Sequence, residues 1–106
     1  MSERMRKVNS LLSTEIGRAL GPGTVTGVLA TVTAVETTSD LTEAMVWVSV
    51  IPETGEAWEA VQQQQGAVQQ AVAARVRLKR TPRLQLRRDM GGAHAERIEL
   101  LLRNDH

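Results

Sequence analysis

RVRLKRTPRLQLRRD, residues Arg75–Asp89, is where this chain passes from one kind of structure to another. Ahead of it and into its start, Val68, Val72 and Val76 recur every four residues, the spacing of one helix face. Further on, Leu84 and Leu86 alternate with polar side chains, the period of a strand. Thr81-Pro82 separates the two, because proline lacks an amide proton and pushes the residue before it out of helical geometry. A helix therefore ends, the chain turns, and a strand begins. The same stretch carries Arg75, Arg77, Lys79, Arg80, Arg83, Arg87 and Arg88 before its first acid, Asp89. Cations on the solvent side of a helix end and of the following strand form a surface suited to an anionic polymer.

Upstream of this stretch the pattern is helix, strand, strand, helix. Met5, Val8, Leu12, Ile16 and Ala19 form one stripe of a first amphipathic helix, with Leu11 and Leu20 beside it, and Gly21-Pro22-Gly23 stops it. Thr24 to Glu36 is rich in Val and Thr and reads as a strand. Val28, Ala30, Val32 and Ala34 alternate there with Leu29, Thr31, Thr33 and Val35, and two apolar faces suggest a central position in the sheet. Thr37-Thr38-Ser39-Asp40 is a turn cluster, and Ala44 to Ile51 alternates again, so the two strands should pair antiparallel.

Thr54 is placed to cap the next helix, with Glu56 in its first turn. That helix carries Trp58, Val61, Val68, Val72 and Val76 at helical spacing, and Gln62 to Gln65 followed by Gly66 interrupt it. A glycine inside a helix costs about 1 kcal/mol against alanine, so Gly66 marks either a tolerated residue or a kink where backbones approach closely. Beyond the last strand, Met90-Gly91-Gly92 reads as a turn, and His94, Ile98, Leu101 and Leu102 as one side of a short helix. Strands bracketing a helical middle predict an α+β domain with a three-stranded sheet and helices on one face.

Composition bounds the rest. With 106 residues, 42% of them hydrophobic, the chain is long enough for one core. It has no cysteine, which excludes disulfides and thiolate metal sites and fits a reducing compartment. No apolar run is long enough to span a bilayer, so a cytoplasmic protein without a membrane partner is expected. The net charge of +1 conceals a separation. Residues 1 to 18 sum to +2, residues 19 to 74 contain no Lys or Arg and sum to −6, and residues 75 to 106 sum to +5. Such poles steer one side toward phosphate and repel the other, although like-charged blocks also serve simply as solvated faces.

Several segments together resemble the ribosome-binding factor A family of bacterial small-subunit assembly factors, over nearly the whole chain. They are Val32-Thr33-Ala34-Val35-Glu36 with Ser39-Asp40-Leu41, then Ala44-Met45-Val46-Trp47-Val48-Ser49-Val50. Leu78-Lys79-Arg80-Thr81-Pro82, running through Leu84 and Leu86 to Asp89, and Arg97-Ile98 ahead of Leu101 complete the set. The resemblance implies a type II KH-like fold, in the order α-β-β-α-kink-α-β, without the Gly-x-x-Gly loop of ordinary KH domains. An Ala-x-Gly kink replaces that loop in the family and falls here on Gln64, Gln65 and Gly66. It further implies one KH-like RNA-binding domain over residues 1–103 with a frayed tail at 104–106. The expected partners are the free or immature 30S subunit and its 16S rRNA, whose 5′ end such proteins help to mature. No cofactor, metal or small-molecule substrate is implied, and the protein should be a monomer off the ribosome. This chain departs from the family pattern at Gln64 for the usual alanine, Leu86 for phenylalanine, Arg83 for a frequent glutamate and Gln69 for a frequent arginine.

The candidate RNA contacts are Arg75, Arg77, Lys79, Arg80, Arg83, Arg87 and Arg88, joined by Arg4, Arg6 and Lys7 if the first helix lies alongside. With no Phe or Tyr, the chain lacks the stacked aromatics of RRM and OB surfaces, and Trp47 and Trp58 both read as core residues on apolar stripes. Two other function classes remain. A basic-faced module could meet an acidic protein, with a shallower salt dependence than RNA gives. A small enzyme would need more than His94, His106 and the isolated carboxylates Asp40 and Asp89, whose ordinary role near turns is to bond backbone NH groups.

Overall fold

The computed structural model describes residues 3–90. The turn at Gly91-Gly92 and the short helix through His94, Ile98, Leu101 and Leu102 lie outside the described residues. Six elements follow in order: α1 (Glu3–Ala19), β1 (Leu29–Thr37), β2 (Glu43–Ile51), α2 (Gly55–Gln62), α3 (Gln65–Arg75) and β3 (Arg83–Arg88). This is the α-β-β-α-α-β order expected from the sequence.

The sheet runs β1-β2-β3, with β1 antiparallel and β3 parallel to β2. Strand β2 is therefore the central one, and its alternation shows it: Ala44, Val46, Val48 and Val50 are buried, whereas Glu43, Met45 and Ile51 are exposed. Strand β1, expected to be central from its two apolar faces, is an edge. Its second apolar set has a different cause, a bulge between Val32 and Ala34 that leaves Thr33 without a partner in the strand register. Up to Val32 the helix side takes Ala30 and Val32; beyond the bulge it takes Val35, opposite Val46, and Ala34 moves to the open face opposite Trp47. Strand β1 also begins later than its Val/Thr content suggested. Residues 24–28 form turns instead, with Gly23 at φ 88° and Gly27 at φ 77° around them, conformations that glycine adopts without strain.

All three helices cover one face of the sheet. Val8, Leu12 and Ile16 of α1, with Leu20 just past its end, meet the buried β2 residues, Val61, Val68, Val72 and Val76, and Leu84 and Leu86 in one core. Trp58 packs at its margin, as its helical stripe predicts. Trp47 does not: it stands half-buried on the open face, paired with Ala34 on one side and Arg87 on the other.

The predicted long helix is two helices. Thr54, with extended backbone, caps α2 by accepting from the Ala57 amide at 3.1 Å. The helix tightens at its end, where the Gln64 amide donates to Val61 O rather than one residue further back, and α3 restarts at Gln65. The break thus falls on Gln63 and Gln64, and Gly66 sits inside the first turn of α3. A Cβ built on Gly66 meets nothing within 4 Å, so close backbone approach is not why glycine stands there. Gly66→Ala should accordingly raise stability by about 0.5–1 kcal/mol without straightening the helices. A higher thermal midpoint with an unchanged far-ultraviolet circular dichroism spectrum is the expected result.

Candidate nucleic-acid interface

The ten cations singled out above do not form one patch. Arg4, Arg6 and Lys7 are exposed on the first two turns of α1, and Lys7 meets Glu3 at 3.6 Å in a well-solvated pair. Arg75 ends α3, and Arg77, Lys79 and Arg80 are exposed along the connection to β3. In β3 the alternation separates the arginines. Arg83 and Arg87 lie on the open face with Gln85, whereas Arg88 follows Leu84 and Leu86 toward the helix side and is half-buried.

What the fold does bring together is Arg4 with Lys79 and Arg80. These three line a pocket of about 380 Å³ against the β1–β2 turn, Asp40-Leu41-Thr42, and Leu78. The turn is held by its own side chains. Asp40 Oδ1 accepts from the Thr38 hydroxyl at 2.8 Å and from the Thr42 hydroxyl and amide at 2.8 and 3.2 Å. The Thr38 hydroxyl first, then the Thr42 hydroxyl and amide, hold the Asp40 carboxyl below its ordinary pKa. Leu41 occupies the left-handed region at φ 60° and still packs against the core. Arg4 and Leu78 also line a second, adjoining pocket of about 510 Å³ with Glu3, Lys7, Val8 and Leu11.

A different arrangement surrounds the interhelical break. Gln65 and Gln69 reach from α3 to the outer edge of β3. Gln69 donates to Pro82 O at 3.0 Å and accepts from the Leu84 amide at 2.8 Å. Gln65 donates to Leu84 O at 3.0 Å and accepts from the Leu86 amide at 3.4 Å. Two glutamine amides thus occupy the positions that a fourth strand would take. The glutamine run, read in sequence only as a possible kink, supplies half of this arrangement; the usable signal was the spacing of four between Gln65 and Gln69.

Asp89 also departs from expectation. It is 3% exposed and accepts from the Thr33 hydroxyl at 2.5 Å, so it ties the bulge of β1 to the end of β3 across β2. No sequence pattern joins two residues so far apart. Asp40, by contrast, has the turn role that its position suggested. Among the described residues no group of three or more His, Cys, Asp or Glu could hold a metal ion, and no helix is long and apolar enough to cross a membrane. His94, His106 and Arg97 lie outside the described residues.

The family model described as "Ribosome-binding factor A" matches residues 4–102, almost the full chain. The chain belongs to the ribosome-binding factor A family. A ribosome-binding factor A of Akkermansia muciniphila is 43% identical over 96 residues, spanning 84% of this chain and 74% of that protein. The crystal structure of ribosome-binding factor A from Thermus thermophilus superposes with a TM-score of 0.65 at 26% identity, over 79% of this chain and 94% of the other. A homology model of the Thermus thermophilus factor, fitted into a cryo-EM map of a 30S–RbfA complex, superposes with a TM-score of 0.59 at 28% identity, over 83% and 93% of the two chains. The α+β architecture expected from the resemblance is the one this family shares.

Proposed function

We propose that this protein is an assembly factor of the small ribosomal subunit, binding the free or immature 30S particle through its 16S rRNA. It assists late maturation, including maturation of the 5′ end of that RNA, by non-covalent contact alone. Off the ribosome it is a cytoplasmic monomer. Family membership carries the reading, and the fit of a relative into a 30S complex supports it.

The distribution of charge supports it as well. Exposed arginines and lysines project from α1, from the connection after α3 and from the open face of β3, whereas the acids Glu53, Glu56 and Glu59 are exposed around the start of α2. Backbone phosphates would be held by the first set and repelled by the second, so orientation and shape are read ahead of base sequence.

Co-sedimentation with purified small subunits, large subunits and whole ribosomes across a salt series tests this. Preferential binding to free small subunits is expected, falling steeply with salt. Equal binding to all three particles would reduce the activity to a sticky basic face and overturn the proposal.

A further inference from the structure

We propose that the groove between the first turns of α1 and the Leu78–Arg80 segment takes one unpaired RNA nucleotide, with its phosphate against Arg4, Lys79 and Arg80 and its base on the apolar floor. The inference rests on the RNA-binding reading above and assigns it a site.

The groove has two chemically different ends that meet at Arg4 and Leu78. At one end three exposed cations converge from opposite parts of the chain, and none of them forms an ion pair among the described residues. The only acid there, Asp40, has Oδ1 occupied by the hydroxyls of Thr38 and Thr42 and by the Thr42 amide, so it braces the rim and leaves the cations an excess of positive charge. At the other end Val8, Leu11 and Leu78 provide an apolar floor, with Leu11 42% exposed. A phosphate beside a flat, largely apolar base matches this sequence of surfaces, and a base inside a duplex could not reach the floor.

The remaining cations lack such a setting. Arg83 is the sole cation at the pocket beside Gln65, Gly66 and Gln69. On the open face, Arg83 pairs in register with Glu43 and Arg87 with Trp47.

Fluorescence anisotropy with a single-stranded oligouridylate, and with an RNA duplex carrying the same number of phosphates, decides the matter. Three variants are compared: Arg4→Gln with Lys79→Gln and Arg80→Gln; Leu11→Gln; and Arg83→Gln with Arg87→Gln as control. All the replaced side chains are exposed, so each variant should fold. The triple variant should bind the single strand about tenfold more weakly, with a log–log salt slope reduced by about 2, at roughly 0.7 per phosphate contact. Leu11→Gln should weaken the single strand about threefold, less than the loss of an aromatic platform would give, and leave the duplex unchanged. The control should stay within about twofold. If the control loses as much as the triple variant, or if Leu11→Gln leaves the single strand unaffected, the groove is not the site and RNA binding is diffuse. If the unmodified protein binds neither RNA nor small subunits, the functional reading fails with it.

Discussion

Replacing Arg77, Arg80, Arg83 and Arg87 together by glutamate is expected to abolish small-subunit binding while leaving thermal stability unchanged. The four positions are exposed, and the hydrogen bond from Arg87 to Gln85 at 3.1 Å lies at the surface. Arg88 is excluded because it is half-buried on the helix side, where a carboxylate would disturb packing. The size of the effect follows from counterion release. A protein with about six phosphate contacts loses about a thousandfold in affinity between roughly 50 and 200 mM salt. Removing four cations takes away most of that attraction, and four new acids oppose what remains. Near-physiological salt should leave no detectable co-sedimentation, and low salt should not restore it. Retained binding with an unchanged salt slope would show that the cationic surface is incidental and that a protein on the subunit is the partner.

The order of elements was legible in the sequence because each has its own apolar period and its own stop. Gly21-Pro22-Gly23, Thr54 and Thr81-Pro82 are local signals, and all three fall at observed boundaries. The family resemblance supplied the type of fold. What the sequence concealed was relational. The two-faced apolar character of β1 reflects a bulge that changes which side chains face the helices, not a central position, and nothing in residues 29–37 alone marks the site of that bulge. Trp47 carried the same ambiguity, because an apolar residue on the open face of a central strand has the same period as one on the buried face. The candidate interface was half legible: the cations were visible as a run, but alternation along β3 sends Arg88 one way and Arg83 and Arg87 the other. The convergence of Arg4 with Lys79 and Arg80 is a fact of tertiary structure only.

Gln65→Leu combined with Gln69→Leu should destabilise the protein by about 3–4 kcal/mol, at roughly 1 kcal/mol for each of four hydrogen bonds that lose their partners. For a small domain that is a large fraction of the whole stability. The geometry explains why two side chains suffice. Four residues of helix rise by about 6 Å and two residues of strand by about 6.6 Å, so glutamines four apart meet successive outward-facing peptide groups of β3. Gln69 should matter more than Gln65, since its bonds of 2.8 and 3.0 Å are shorter than the 3.0 and 3.4 Å of Gln65. Glutamate at position 69 is the sharper control. Its carboxylate can accept from the Leu84 amide but cannot donate to Pro82 O, so Gln69→Glu should recover only part of the stability lost in Gln69→Leu. Chemical denaturation of the single and double variants measures these differences. Opening the edge should also let β3 pair with a second copy, so the double variant should show concentration-dependent association by sedimentation velocity. If it stays monomeric and as stable as the parent, the glutamines do not close the edge. The consequence for function is direct. With its outward peptide groups already bonded within the chain, β3 cannot recognise a base or a peptide through its backbone, and RNA recognition falls to the side chains around it.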